Sequence, residues 1–252
     1  MRIFNLLTAG PLPYLEVDKL QRFLHREVAA GAEDALIAWE SQPVYTAGRR
    51  TRAADVPDTD LPVLAMDRGG SVTYHGPGQL VIYPILQTAP PPDVVRFVRR
   101  TEEILITALQ SYKVESCQIA GRSGVWIKTA GQEDKKLCAI GIKFAANTTM
   151  HGMALNVNTH LEDFHRIIPC GLADAGVISL EKLGVTAEIS EVADLLLPAL
   201  ASGYQDFLAD LSHRGAQLKE IEQSQWSQLW EKAQHSIDFP PQTGVLWKAK
   251  DA

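Results

Sequence analysis

The chain has 252 residues, 46% of them apolar, enough for the core of one large α/β domain or two small ones. Its formal net charge of −6 argues against general nucleic-acid binding, which depends on an excess of basic residues. No apolar run approaches the ~20 residues that span a bilayer, and the N-terminal apolar stretch is too short for a signal peptide. We therefore expect a cytoplasmic protein that binds neither membrane nor nucleic acid.

The first half of the chain is predicted to hold five strands and two helices. Alternation and turn residues predict strands over 2–7, 34–40, 43–48, 61–67 and 79–86. Apolar residues at helical spacing predict a helix over 13–31, with Gly31 as its stop. A second helix is predicted within 91–112, and Pro92 and Asp93 mark its start. Its predicted buried stripe is Val94, Val95, Val98, Ile104, Leu105 and Leu109.

The second half begins with strands and ends with helices. Strands are predicted over 124–128, 136–144 and 151–158, the last two forming a hairpin through 145–149. Helices are predicted over 161–168 and 190–211, the latter with Ser190 as N-cap and a kink or break at Pro198. An amphipathic stretch surrounds Trp226 and Trp230, for which core packing is expected. Consecutive strands favour an α/β (α+β) fold, a mixed or antiparallel β-sheet flanked by helices. We expect one domain over 1–213 and a C-terminal helical extension over 214–252 packed on it.

The stretch "RGGSVTYHGPGQL", residues 68–80, places glycines and polar residues between two apolar strands. Gly69 and Gly70 permit a positive φ or a close approach of a ligand to the backbone. Neither of the two glycine-rich nucleotide-binding motifs is present. An ordinary glycine-rich turn is one interpretation. The added polar groups, such as His75 and Gln79, favour a narrow pocket that holds an apolar tail and fixes a carbonyl.

Cys170 is the candidate nucleophile. The three cysteines, Cys117, Cys138 and Cys170, form neither a CxxC pair nor a zinc spacing, so we expect free thiols and no metal. Cys170 lies between a proline and a glycine, where the thiol and the N–H groups near Gly171 and Leu172 suit a nucleophile that generates an oxyanion. Its basic partner is left open by the spacing. The alternatives are Lys135, Lys136, His75 and His151.

Four motifs in order, "RGGSVTYHGPGQ", "KKLCAIGIK", "MHGMALNV" and "IPCG", resemble those of lipoyl(octanoyl) transferases. The resemblance runs from about Arg49 to Cys170 and continues more weakly to about Leu211. It implies the fold of biotin and lipoate protein ligases, a mixed sheet flanked by helices. It also implies octanoyl transfer from octanoyl-acyl carrier protein to a lysine of lipoyl domains, in 2-oxoacid dehydrogenases and the glycine cleavage H protein. This is the first step of endogenous protein lipoylation, and it requires no cofactor.

The same resemblance assigns the site residues. Cys170 corresponds to the family's cysteine and Lys136 to its lysine, with Lys135 and Lys143 as the nearest alternatives. The acyl pocket corresponds to Arg68, Gly69, Gly70, Ser71, Val72, Thr73, Tyr74, His75, Ala139, Ile140, Gly141, Gly152, Met153 and Ala154. Because carrier and lipoyl domains are usually acidic, we expect docking on the basic stretch 48–52. Docking on the helix arginines Arg96, Arg99 and Arg100 is a weaker expectation.

Three other functions fit parts of the sequence. An ATP-dependent lipoate or biotin ligase shares the implied fold, but it needs an adenylate-binding loop and no cysteine nucleophile. A non-catalytic acyl-binding protein would need neither Cys170 nor Lys136. Transfer of octanoate from one lipoyl domain to another would use the same cysteine chemistry, and the sequence does not exclude it.

Overall fold

A nine-stranded mixed sheet forms the centre of the protein, in a computed structural model that describes residues 1–209 and 218–249. Its strand order is β12-β1-β2-β6-β10-β9-β8-β7, with β11 paired to β9. These strands are β1 Arg2–Asn5, β2 Ala35–Trp39, β6 Gln79–Ile85, β7 Cys117–Ile119, β8 Arg122–Ile127, β9 Asp134–Ala145, β10 Thr148–Asn156, β11 Ala175–Val177 and β12 Lys219–Glu220. The pairs β1–β2, β1–β12 and β9–β11 are parallel, and the others are antiparallel. The predicted mixed sheet is confirmed.

Four α-helices cover the two faces of this sheet. They are α1 Tyr14–Ala29, α2 Val94–Leu109, α3 Ile189–Gly203 and α4 Gln223–Ser236. Helices α2 and α3 share one apolar cluster with Leu36 and Ile82, whereas α1 and α4 share another with Ile37 and Tyr83. Successive strand residues thus point to opposite faces, and each face is buried by its own helix pair. No described helix combines the length and apolarity needed to cross a membrane.

Helix boundaries correct several predictions. The Asp93 side chain accepts a hydrogen bond from the Arg96 N–H and caps α2 as predicted. Val94 and Val95, which were expected in the buried stripe, are 44% and 71% exposed, because both lie in the first turn of α2, ahead of Phe97, its first buried residue.

The helix predicted over 190–211 also differs in its ends. Helix α3 begins one residue earlier, where Glu188 and Glu191 form a reciprocal capping box, so Ser190 is not the N-cap. It continues through Pro198 to Gly203, and the predicted end at 211 lies outside the described residues.

A second, three-stranded sheet lies beside the first, in the order β4-β3-β5. Its strands are β3 Val44–Ala47, β4 Val63–Ala65 and β5 Thr73–His75. Two of them were predicted, but β5 lies inside the glycine-rich stretch, where no strand was predicted. Strands β7, β11 and β12 were not predicted either. The helix predicted over 161–168 is a 3-10 helix, Leu161–Arg166.

The predicted hairpin between β9 and β10 is confirmed, with Thr148 paired to Ala145. Its two connecting residues, Ala146 and Asn147, have φ of 48° and 54°, the left-handed backbone of a tight hairpin turn. This hairpin matters for the site because residues of both strands form one cavity wall.

The C-terminal part of the chain joins both sheets. Strand β12 extends the central sheet beside β1, and Trp226 and Ala233 of α4 are buried with α1. Farther on, the Ala65 N–H donates to the Val245 carbonyl, which attaches the chain to β4. The described part of this extension is therefore not purely helical. The predicted boundary between 213 and 214 lies outside the described residues.

Candidate active site

A cavity of about 260 Å³ is lined by residues of both sheets and of the loops between them. It brings together nearly all the residues expected at the site, although they come from four separate motifs. The expected residues that line it are Arg68, Gly69, Gly70, Ser71, Thr73, His75, Lys136, Ala139, Ile140, Gly141, Gly152, Met153, Ala154 and Cys170. Apolar strand residues and a few convergent polar groups are typical of a small-molecule site.

Val72 and Tyr74 are the two expected pocket residues that do not line this cavity. Both are buried in the apolar cluster of the smaller sheet, where the Tyr74 ring contacts Tyr45 and Phe164. Side chains alternate between the faces of a strand, so Thr73 and His75 point to the cavity while their neighbours point away. The contiguous assignment over 68–75 therefore mixes lining residues with core residues.

The glycine-rich stretch is held together by Arg68. Its guanidinium donates to the carbonyls of Gly69 at 3.0 Å, Ser71 at 2.8 Å and Thr46 at 2.7 Å. Gly70 has a φ of 80°, a conformation that other residues rarely adopt. Arg68 thus ties main-chain oxygens of the loop to a main-chain oxygen of the neighbouring strand β3.

Gly152 allows strands β6 and β10 to pack closely beside the cavity. A side chain on Gly152 would collide with the main-chain oxygen of Ile82 on the neighbouring strand β6. Strand β10 can therefore pass this point only without a Cβ.

Cys170 lies in a 3-10 turn, Pro169–Gly171, with a φ of 59°. A left-handed conformation is uncommon for cysteine and is found mainly where the surrounding structure imposes it. Here the Cys170 N–H donates to the Val72 carbonyl at 2.9 Å, which joins the turn to the glycine-rich stretch. The other two cysteines lie outside the cavity, and burial raises the pKa of Cys138 to about 12. In the described ranges, no three His, Cys, Asp or Glu side chains are grouped as a metal site.

The expectation that N–H groups of Gly171 and Leu172 bind an oxyanion is wrong for this conformation. The Gly171 N–H donates to the Ile168 carbonyl at 3.0 Å, and the Leu172 N–H donates to the Pro169 carbonyl at 3.2 Å. Both donors are used by the turn that shapes the Cys170 backbone. They are not available to a substrate oxygen unless the turn opens.

Among the candidate bases, Lys136 reaches the cavity and the neighbouring lysines do not. Lys136 is only 7% exposed, and its Nζ lies 4.6 Å from the centre of the Trp126 ring. Lys143 instead forms an ion pair with Asp67 at 2.6 Å. Lys135 precedes Lys136 on β9 and points to the opposite side of the strand.

His75 is a buried neutral imidazole in the cavity wall. Its Nδ1–H donates to Gln79 Oε1 at 2.7 Å, and its ring stacks on Tyr14. Burial, reinforced by the nearby Arg68 charge, lowers the pKa of His75 to about 3. Its Nε2 is buried without a hydrogen-bond partner in the part of the chain that the structure describes.

His151 is engaged on both ring nitrogens. Gln21 donates to Nδ1 at 3.1 Å, and Nε2–H donates to Asp67 at 2.9 Å. Although burial alone would raise it, hydrogen bonds from His151 and Arg22 hold the pKa of Asp67 well below its ordinary value. This network favours a structural role for His151 over that of a base for Cys170.

Seven lining residues were not anticipated from the sequence: Tyr14, Asp55, Val81, Tyr83, Gly121, Arg122 and Ser123. Asp55 accepts from the Ser71 hydroxyl at 2.6 Å, while its carbonyl accepts from the Ile168 N–H at 2.8 Å. Of these residues, only Tyr83 could have been recognised from the sequence, because its hydroxyl is a polar group within the apolar run "QLVIYPIL". The others lie in segments that look like an ordinary helix start, loop and strand.

The arginines expected to dock partners fall into two groups. Arg50 and Arg52 of the "GRRTR" stretch line the cavity. On α2, Arg99 and Arg100 form ion pairs with the acidic residues three positions later, and the Arg96 guanidinium lies over the Phe207 ring. None of the helix arginines lines the cavity, so the geometry favours the loop arginines.

Comparisons with known proteins show the family of this chain. The model of the lipoyl protein ligase A/B catalytic domain matches residues 13–201. The chain is 48% identical over 200 residues to the octanoyltransferase of Clavibacter sepedonicus, which covers 77% of this chain and 86% of that protein. It is 49% identical over 193 residues to the octanoyltransferase of Mycolicibacterium gilvum, and this match covers 76% of this chain and 81% of that protein. The chain belongs to this octanoyltransferase family. The predicted family and the prediction of an acyltransferase are confirmed.

Solved structures place the same fold among lipoate protein ligases. A bipartite lipoate protein ligase from Thermoplasma acidophilum has a TM-score of 0.68 at 13% identity, covering 100% of this chain and 98% of that chain. A lipoate-protein ligase A bound with ATP has a TM-score of 0.57 at 13% identity, and the match covers 93% of this chain and 94% of that chain. At these identities the likeness shows the fold alone, which is the one predicted.

Proposed function

We propose that this octanoyltransferase moves an octanoyl group from octanoyl-acyl carrier protein to a lysine of lipoyl domains through a Cys170 thioester. The observation that carries the proposal is that Cys170 and Lys136, 34 residues apart in the sequence (170 − 136), line one cavity with apolar strand residues. The apolar walls suit an acyl chain, and the two polar groups suit its carbonyl end.

In the first half-reaction, the Cys170 thiolate attacks the carbonyl carbon of the carrier thioester. The bond between that carbon and the carrier sulfur breaks, a new bond to the Cys170 sulfur forms, and the carrier leaves as a thiol after taking a proton from the Lys136 ammonium, which is left neutral. Lys136 as an ammonium favours the thiolate before the attack. The left-handed turn fixes the direction of the thiol.

In the second half-reaction, the amine of a lipoyl-domain lysine attacks the octanoyl-enzyme. An amide forms, Cys170 leaves as a thiolate, and the proton of the attacking amine passes to a neutral Lys136. Conversion of a thioester to an amide runs downhill, so the reaction needs neither ATP nor a cofactor. Lipoyl domains in general are the proposed acceptors, among them those of 2-oxoacid dehydrogenases and the glycine cleavage H protein.

Docking of both partners is proposed at the cavity entrance beside Arg50 and Arg52. Arg50 is exposed, whereas Arg52 is held by an ion pair with Asp55 at 3.0 Å. An acidic partner would meet the positive charge of Arg50 despite the overall charge of −6. This arrangement would speed association and be weakened by salt.

Intact-protein mass after incubation with octanoyl-acyl carrier protein, without ATP, tests the proposal. The wild-type chain should gain one octanoyl adduct, Cys170→Ala should gain none, and Lys136→Ala should load slowly. Cys117→Ala and Lys135→Ala are matched controls, because neither residue lines the cavity, and both should load like the wild type. The loaded enzyme should then modify a lipoyl domain.

An adduct that persists in Cys170→Ala would exclude this nucleophile. Modification of a lipoyl domain only with ATP and free octanoate would make the protein a ligase instead. Loading from an octanoylated lipoyl domain, but not from the carrier protein, would favour transfer between lipoyl domains.

A further inference from the structure

On the cavity face of the central sheet, the side chains become larger from β9 to β6. Ala139 on β9 pairs with Ala154 on β10, and Ala154 pairs with Val81 on β6. These three residues line the cavity. Val81 pairs in turn with Trp39 on β2, which is fully buried and lies outside the lining. Along this row the cavity floor crosses two strands and is closed at β6.

The neighbouring row of paired residues has the same order of sizes. Gly141 on β9 pairs with Gly152 on β10. Tyr83 lies two residues after Val81 on β6, so it points to the same face, and it pairs with Ile37 on β2. Gly141, Gly152 and Tyr83 line the cavity. The two rows together form a trough that has at most one methyl group per residue over β9 and β10 and bulky side chains at β6.

A cluster of rings holds the closed end of the trough in place. The Tyr83 hydroxyl donates to the Tyr14 hydroxyl at 3.1 Å, so each ring fixes the other. The Trp39 ring lies 5.6 Å from both the Tyr14 and the Tyr83 ring. His75 stacks on Tyr14 with ring centres 5.3 Å apart. All four side chains are buried, so the closed end can move only if packed ring contacts are lost.

The opposite end of the trough is the one with the proposed reactive groups. A small recess beside the cavity is lined by Cys170, Lys136, Ala139 and Ala154, among others. The Lys136 stem lies against Gly124 of β8, on the side of β9 that faces away from β10 and β6. The acyl carbonyl would therefore lie near β9, and the acyl chain would extend towards β6.

The length of the trough matches that of an octanoyl chain. From Ala139 to Val81 the floor crosses two strand spacings, which amount to about 10 Å. An extended octanoyl chain is about 9 Å long. A chain attached to Cys170 would thus pass over Ala139 and Ala154 and end at Val81.

We propose that Val81, together with Tyr83 and Tyr14, forms the wall that sets the acyl chain length of this enzyme. The terminal methyl group of the octanoyl chain contacts Val81, and a longer chain collides with it. None of the three residues touches the reacting atoms, so their role is specificity. The inference rests on the proposed octanoyl transfer through Cys170 and adds the residues that select the donor by its length.

Calorimetric titration of the full-length protein with free straight-chain acids of six to twelve carbons tests the inference. The affinity of the wild type should rise about fourfold with each CH₂ up to eight carbons and then fall. In Val81→Ala, the two lost methyl groups open the trough as far as Trp39, so the rise should continue to about ten carbons. Val28→Ala removes the same two methyl groups from the same apolar cluster, but outside the cavity. This control should keep the limit at eight carbons.

Ala154→Val tests the trough in the opposite direction. Its added methyl groups would lie in the middle of the row, so the octanoate affinity should fall at least about fivefold and the limit should move to shorter acids. A β-branched residue suits a strand, and a thermal melt would show that the fold persists.

Four results would overturn the inference: an unchanged limit in either Val81→Ala or Ala154→Val, an equal shift in Val28→Ala, a wild-type affinity that rises steadily to twelve carbons, or no binding of octanoate. Free acids are not transferred, so failure of the Cys170 thioester would be seen only in the adduct experiment.

Discussion

Burial of His75 predicts a loss of stability between pH 7 and pH 5. The imidazole is 5% exposed, and burial with the Arg68 charge lowers its pKa from 6.5 to about 3. Below pH 6.5 the unfolded chain therefore binds a proton that the folded chain does not. The free energy of unfolding must fall as the pH falls through this window, and the fall levels off only near pH 3.

The size of the effect follows from the two pKa values. At pH 5 the unfolded histidine is almost fully protonated and the folded one is neutral, which amounts to about 2 kcal/mol lost relative to pH 7. His25, whose pKa is also lowered, first by burial, adds to the slope in the same direction. The pKa values of Asp55 and Asp67 are lowered from 3.8. These two carboxyl groups therefore change the free energy of unfolding below the window from pH 7 to pH 5, and not within it.

Urea unfolding at pH 5, 6 and 7 measures this slope in the wild type, His75→Gln and His160→Gln. A glutamine side chain does not ionise, so the His75→Gln slope should be shallower by about 2 kcal/mol across the window. His160 is 71% exposed, and its variant should keep the wild-type slope. Parallel curves for the wild type and His75→Gln would refute the reasoning, since they would mean that the buried imidazole takes up its proton as freely as an exposed one.

Three further predictions concern packing and the nucleophile turn. Asp55→Ala should lower the free energy of unfolding by about 1–3 kcal/mol, because buried donors lose their acceptor. Asp58→Ala breaks an exposed ion pair with Arg166 and an exposed hydrogen bond from the Asp60 N–H, so it should change urea unfolding little. Gly152→Ala should cost about 3 kcal/mol through overpacking and abolish octanoyl loading, measured by mass. Phe97→Ala should cost about 3–5 kcal/mol, whereas Val95→Ala should stay within about 0.5 kcal/mol in thermal unfolding.

Local patterns predicted most of the central sheet because its strands carry strong apolar signals. The hairpin of β9 and β10 is an example, since its strands are long and its turn is polar. Short strands such as Ala175–Val177 pair through backbone atoms alone and leave no periodic pattern in three residues. Val94 and Val95 show a related limit: helical spacing identifies a face, but not the residue at which burial of that face begins.

The candidate site was predicted from motifs, and its errors have a common cause. Motifs are contiguous in sequence, but strand residues alternate in direction, which removes Val72 and Tyr74 from the cavity. Hydrogen bonds between distant segments are equally invisible. The acceptors of the Gly171 and Leu172 N–H groups depend on the turn that Cys170 adopts, and no spacing reports that turn.

The glycine-rich stretch therefore does two things in the folded protein. Its Gly69 and Gly70 form part of the cavity wall, and its main chain also holds the turn that contains Cys170, the proposed nucleophile. The Val72 carbonyl accepts the Cys170 N–H, and the Ser71 hydroxyl bonds the Asp55 carboxylate beside the same turn. One loop forms part of the proposed acyl-binding wall and also holds the Cys170 turn. A change that displaces the loop should therefore alter both the binding of the acyl group and the direction of the Cys170 thiol. Separate motifs thus act as one site, since the fold connects them through main-chain hydrogen bonds.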